Sequence, residues 1–271
     1  MLAAPWIAAL LALFLWWFST GAILCAVKLA DRRGGRAPFL ATLAALPFLA
    51  IGIWGFVATR DMNTVAGAYL AFLSALALWG WIEMAFLTGQ ITGPNPHRCP
   101  AGVPEWERFV RAWGTIAFHE ILLVSMLVTL AFYAEGAVNT VGLWTFVVLF
   151  FARVTAKLNL FLGVPRIHTD FLPTALAHLP SHFRKARANW FFPVSITALS
   201  FATACWVERA IAAPGPAELV GFTLLAALTA LALLEHWLMV LPLPDERLWR
   251  WMLPAPGQDQ KDMETEDAHG L

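Results

Sequence analysis

Apolar residues run along this chain in seven long blocks, near 5–27, 37–58, 64–88, 112–134, 138–163, 190–212 and 217–241. Each block reaches the ~20 residues that an α-helix needs to cross the hydrocarbon core of a bilayer. Polar, proline- and glycine-rich stretches separate them. Residues 89–104 hold four prolines and three glycines and predict an irregular loop. Pro104 followed by Glu105 and Glu107 predicts a helix start. Residues 164–189 mix apolar and basic positions and predict a segment lying on the inner leaflet. The segment Arg247-Leu-Trp-Arg-Trp-Met252 has the same character. The expected fold is all-α, a polytopic membrane bundle of about seven transmembrane helices. Residues 1–254 form one integral-membrane domain, and 255–271 form a disordered acidic cytoplasmic tail.

Composition agrees with the pattern. The 271 residues are 59% hydrophobic and only 13% charged, against about 25% charged in a soluble domain. Formal net charge is zero, so no basic field points to nucleic acid. Met1–Pro5 lack a positive n-region, so the first block is expected as a retained helix rather than a cleaved signal. The three cysteines form no CxxC pair and read as small buried hydrophobes plus one loop thiol. Trp6, Trp106, Trp113, Trp190, Trp249 and Trp251 sit near block ends, as an interfacial belt requires.

The loop cations set an orientation. Fourteen lysines and arginines fall on one side, in the loops after the first, third and fifth blocks and in the tail, against Arg60 and Arg209 on the other. The positive-inside rule then puts the N-terminus outside and the C-terminus in the cytoplasm.

Ionisable residues inside the blocks are the candidate chemistry. Arg153 and Lys157 are four residues apart, and Thr155 and Asn159 share a second face by the same spacing. A charge at membrane depth costs about 2.5–3.5 kcal/mol on the insertion scale, so each cation is expected to point inward to a partner. Glu83, Glu120 and Glu235 supply anions at matching depth, with His119 and His236 beside them. Three arrangements suit this set. Ion pairs can lock the helices together. His119 or His236 can ligate the metal of a tetrapyrrole, with Trp79 and Trp81 packed on the macrocycle. The glutamates and histidines can hold two metal ions in a helix bundle, although the usual Glu-x-x-His spacing is absent. A transporter or ion path is a further alternative. His168, His178 and His182 lie in a loop and read as solvated or interfacial; Pro180 argues against a helical metal pair. No phosphate loop, dinucleotide fingerprint or nucleophile elbow occurs. The last block has no lysine for a retinal Schiff base.

Several strings carry a family likeness: Thr64-Val-Ala-Gly-Ala-Tyr69, Trp79-Gly-Trp-Ile-Glu-Met-Ala-Phe-Leu-Thr-Gly89, Thr92-Gly-Pro94, Phe118-His-Glu120, Gly142-Leu-Trp-Thr-Phe146, Ala156-Lys-Leu-Asn-Leu-Phe-Leu-Gly-Val164, Phe171-Leu-Pro173 and His182-Phe-Arg184. In this order the series resembles the photosynthetic complex assembly proteins of the PuhE type, found with reaction-centre H-subunit genes in purple phototrophic bacteria. The resemblance implies an inner-membrane assembly or regulatory factor for the reaction centre and its light-harvesting complex, with bacteriochlorophyll or a precursor as a ligand. It implies no catalytic residues. The rival expectation is a membrane di-metal oxidase or hydroxylase acting on pigment or carotenoid, and a third is a pigment-free scaffold. Glu83, His119, Glu120, Lys157 and Asn159 lie within the matching strings; Arg153, Glu235 and His236 rest on depth alone.

Overall fold

Helix formation follows the apolar blocks. In the computed structural model, which describes residues 2–167, 169 and 172–242, the elements are α1 (Pro5–Arg33), α2 (Ala37–Ala44), α3 (Leu46–Ala58), α4 (Val65–Leu87), α5 (Glu105–Tyr133), α6 (Val141–Leu162), α7 (Phe191–Ile211) and α8 (Pro216–Leu238). With α2 and α3 taken as one span, seven helices are long and apolar enough to cross a membrane. Among the described residues there is no strand, only an isolated bridge between Val164 and Lys185. The protein is a multi-pass membrane helix bundle.

Three boundaries differ from the sequence reading. The second block is two helices because Pro47 has no N–H for the Leu43 carbonyl and its ring crowds that turn, so the helix restarts at Leu46. α1 continues to Arg33, so Lys28, Arg32 and Arg33 ride on the helix and not in a loop. α5 begins at Glu105, as Pro104 and the first-turn acids predict, so it runs on about two turns ahead of the apolar block placed at 112. Its charged first turns are self-paired: Arg108 meets Glu105 at 2.8 Å and Arg111 meets Glu107 at 2.7 Å. The tail 255–271, the boundary at 254 and the segment Arg247–Met252 lie outside the described residues, as do His168 and Phe171.

α4 is the central helix, touching α1, α3, α5, α6 and α8. At 23 residues it is about 34 Å long. Its start is held by Thr64, whose hydroxyl accepts from the Gly67 N–H at 3.0 Å. One face packs Ala68, Phe72 and Leu76 against α1, α6 and α8. Another packs Leu78 and Ile82 with Phe56, Leu123 and Phe146. α7 leans mainly on α8, and α5 is thinly covered, leaving Phe118, Ile121, Val128 and Phe132 facing outward. Trp6, Trp106, Trp113 and Trp190 are also outward-facing, as an interfacial belt needs.

The segment after α6 packs on the bundle and closes its basic end. Its two 3₁₀ turns, Thr174–Leu176 and Leu179–His182, bury Leu176 and Leu179 against Phe86 of α4. Asp31 at the end of α1 accepts from both the backbone N–H and the hydroxyl of Thr174. Leu176 and Leu179, with Leu172 and Phe183 beside them, thus have a protein partner. Thr92–Asn95 also turn inward, where the Thr92 carbonyl accepts from the His119 N–H at 3.0 Å and the Asn95 N–H donates to the Gly114 carbonyl at 3.0 Å. Only glycine fits at position 93, since an added Cβ would stand 2.2 Å from the Gly114 carbonyl oxygen.

Candidate functional site

Three helices bring ionisable residues together in the half of the bundle nearest its basic end. α4 supplies Glu83 and Phe86, α5 supplies His119 and Glu120, and α6 supplies Arg153 and Lys157. Because Arg153 and Lys157 lie one turn apart, each reaches a different neighbour. Arg153 Nη1 meets Glu83 Oε2 at 2.7 Å, and Lys157 Nζ pairs with Glu120 Oε1. His119 and Glu120 are adjacent, about 100° apart around the helix. Glu120 therefore turns to α6 while His119 turns to α4. There its Nε2 stands 3.7 Å from Glu83 Oε1, and its ring lies 4.4 Å from that of Phe86. The guanidinium of Arg153 and the ammonium of Lys157 lie 5.3 and 5.6 Å from the Phe86 ring centre, within cation–π range.

The group is a neutral quartet of two cations and two anions. Glu83 and Glu120 side chains are 10% and 7% exposed, whereas Arg153 and Lys157 are 24% and 23% exposed, so the cations form its outer edge. His119 is wholly enclosed, and both of its ring nitrogens lack a hydrogen-bond partner, as do Glu83 Oε1 and Arg153 Nε. Such orphaned atoms are costly in a low-dielectric interior.

Other expected members lie elsewhere. Asn159 is buried at the joint of α6 and α7, where its amide donates to the Thr155 carbonyl and to Ser195 Oγ, each at 2.9 Å. Asn189 donates to Asn159 Oδ1 at 3.0 Å and to the Gly163 carbonyl at 2.8 Å, while its own Oδ1 accepts from the Phe191 and Phe192 N–H groups at the start of α7. His236 packs between α8 and α6. Its Nδ1 is 2.8 Å from the Ala232 carbonyl, which only accepts, so Nδ1 carries the proton of the neutral ring. Nε2 is then the acceptor facing the Thr155 hydroxyl at 2.9 Å. Glu235 points out of the bundle from the last turn of α8, away from the quartet. Trp79 packs edge-on to Phe146 at 5.4 Å, and Trp81 packs with Val27, Ala45 and Met84.

Sequence reasoning missed Phe86, Asn189 and Ser195. Phe86 could have been found from its place three residues after Glu83 on the same face. Asn189 had only the weak signal of an Asn ahead of an apolar block.

The geometry bears on the ligands considered above. A macrocycle ligated by His119 needs open space in line with Nε2, but Glu83 stands there and Phe86 covers a ring face, so the residues as arranged do not fit it. Trp79 and Trp81 are engaged in helix packing. Among the described residues no three His, Cys, Asp or Glu side chains converge as metal ligands, because Glu235 and His236 are removed from Glu83, His119 and Glu120. The chemistry the quartet can perform is electrostatic: it joins α4 to α6 through the Arg153–Glu83 ion pair and α5 to α6 through the charge-assisted Lys157–Glu120 hydrogen bond.

His178 and His182 sit in the segment that closes the basic end. Ser181 Oγ donates to the His178 carbonyl at 2.7 Å, accepts from the Cys99 N–H at 2.9 Å and lies 3.2 Å from His182 Nδ1. Burial lowers both imidazole pKa values from the ordinary range, with nearby His97 adding to the effect at His178. These rings belong to the docked segment and are not simply solvated.

No solved structure matches this chain. The chain is similar to a protein of Rhodobacter capsulatus described as an uncharacterized 30.4 kDa protein in the puhA 5′ region, with 55% identity over 251 residues that cover 93% of this chain and 92% of the relative. Residues 2–260 match the family described as Protein of unknown function (DUF3623), and the chain belongs to that family.

Proposed function

We propose that this protein is an inner-membrane assembly or regulatory factor for the photosynthetic reaction centre and its light-harvesting complex. The relative that lies in the puhA 5′ region of a purple bacterium supports this reading, as does the likeness to the PuhE-type proteins. The observation that carries the geometric side is the quartet itself. Its acids are closed in, and its two cations are its more exposed members. Arg153 is nine residues from the end of α6, hence about 14 Å deep. The quartet's two cations each meet an acid, which suits a structural contact within the bundle and at its edge. The quartet ties three helices together and offers two partly exposed cations of α6 to whatever packs beside them.

Two ligands meet those cations in this reading. One is a transmembrane helix of a reaction-centre or light-harvesting subunit. The other is bacteriochlorophyll or a precursor, held through its carbonyl groups at the outer edge and not by His119. The surrounding partner is the lipid bilayer, and the basic end faces the cytoplasm.

The test is gentle purification of the tagged protein from a pigment-producing phototrophic host, with subunit identification and a near-infrared spectrum on one sample. Reaction-centre or antenna subunits are expected in fixed ratio, and a co-purifying pigment band would add the second ligand. A deletion strain that assembles both complexes at normal levels, together with a sample free of their subunits, overturns the reading.

A further inference from the structure

At the end of the bundle opposite the basic loops, the chain builds a second polar group. α4, α6 and α8 start there, and α7 ends there. Between them lies a cleft of about 100 Å³ lined by Asn63, Asn139, Trp144, Glu218 and Phe222. Glu218 and Phe222 are four residues apart, so α8 presents a carboxylate and an aromatic ring on one face. Trp144, in the first turns of α6, forms another wall. Trp206 of α7 ties the two rings together, stacked on Phe222 at 6.1 Å and 19° and edge-on to Trp144 at 5.4 Å and 66°. The aromatic wall is therefore fixed before any ligand arrives.

The charge in the cleft is unbalanced. Glu218 accepts from the Asn63 amide at 3.1 Å but has no ion pair among the described residues. Among the described residues, the two side-chain cations of this end are engaged elsewhere. Arg60 meets Asp61 at 3.0 Å and donates to the carbonyls of Tyr133 and Glu135, and Arg209 lies beside Glu208. The end also carries Glu135, which makes it net acidic. A first-turn acid favours the α8 dipole, but that alone asks for no cavity and no aromatic wall.

We infer that this cleft binds an ammonium group, of a small organic amine or quaternary ammonium, with Glu218 as counter-ion and Trp144 and Phe222 as the π faces. Aromatic faces next to one carboxylate are the chemistry that selects a weakly hydrated cation over sodium. The depth, one to two helical turns from the bundle end, is also headgroup level. The ammonium therefore comes either from a free amine or from a choline- or ethanolamine-bearing phospholipid. The cleft lies apart from the quartet, so this inference stands independently of the assembly role.

The experiment titrates tetramethylammonium into the purified protein in an uncharged detergent, at ionic strength matched with sodium chloride, and reads binding by calorimetry. Saturable binding is expected, weakened at least tenfold in Glu218→Gln, which keeps an acceptor for Asn63. Trp144→Leu should weaken it comparably while leaving the charge in place. Native mass spectrometry from bilayers of phosphatidylcholine and phosphatidylglycerol separates the sources. Choline lipid retained by the wild type and lost in Glu218→Gln identifies a headgroup site; tetramethylammonium binding without retained choline lipid identifies a free amine. No saturable binding, or equal affinity in wild type and both variants, overturns the inference.

Discussion

Glu83 has two close partners and one ion pair. Its Oε2 takes the Arg153 guanidinium at 2.7 Å, while Oε1 stands 3.7 Å from His119 Nε2 with no partner. Neutralising the acid therefore strands a cation, whereas removing both charges strands nothing. Breaking a buried pair from one side costs roughly 3–5 kcal/mol, while replacing both members with apolar groups is often near neutral. Glu83→Gln is expected to fall in that range by unfolding in detergent, and Glu83→Leu with Arg153→Met to recover most of it. A single variant as stable as the wild type would show that the pair contributes nothing. The spacing of Arg153 and Lys157 made an inward, paired arrangement legible in the sequence. It did not say which acid pairs with which cation, because that depends on helix rotation, and rotation is set by packing partners far along the chain. The same limit misplaced Asn159. It shares a string with Lys157, yet two residues turn the helix by about 200°, which carries it to α7.

At the scale of elements, two joints hold the basic end together. At the first, Asn189 bridges α6 and α7 by donating to Asn159 and Gly163 and accepting from Phe191 and Phe192. Asn189→Ala removes a helix cap worth about 0.5–2 kcal/mol as well as the bridge. The expected result is a lower unfolding temperature, with faster hydrogen exchange at the start of α7 and none in α4. Uniform change across the bundle would count against a local joint. At the second joint, the segment with His178 and His182 docks on Phe86. Burial holds both rings below the ordinary imidazole range, so docking favours their neutral form. An undocked segment takes up protons near the ordinary value of about 6.5, so docking is at full strength above that pH and weakens as pH falls below it. Exchange in residues 172–186, corrected for its intrinsic pH dependence, should accelerate on acidification. His178→Gln with His182→Gln should flatten that response. The helix pattern could not reveal this docking, because the segment's apolar residues are aperiodic and fit a lipid surface as readily as a protein one. The break at Pro47, by contrast, was written in the chain and lost only because hydropathy runs straight through it.

For the whole molecule, seven crossings were legible because apolar runs of that length have few alternatives to a membrane helix. What hydropathy leaves open is which end faces which compartment, and here charge decides. One end carries the cation-rich loops, while the other carries Arg60 and Arg209 among Asp61, Glu135, Glu208 and Glu218. Short loops with excess lysine and arginine stay in the cytoplasm, so the quartet is expected in the cytoplasmic half and the aromatic cleft is expected to open to the outside. A reporter that matures only in the cytoplasm, fused after Leu241, should be active. One that requires the exterior should be active when inserted at residues 136–138 and silent after Leu241. The reverse result would invert the molecule, turning the cleft of Glu218 to the cytoplasmic leaflet and the edges of Arg153 and Lys157 to the outer one. The two sites would then have exchanged the leaflets from which a partner can approach. Their internal geometry would be untouched, so the topology experiment bears on what each site meets and leaves the pairing itself to the variants above.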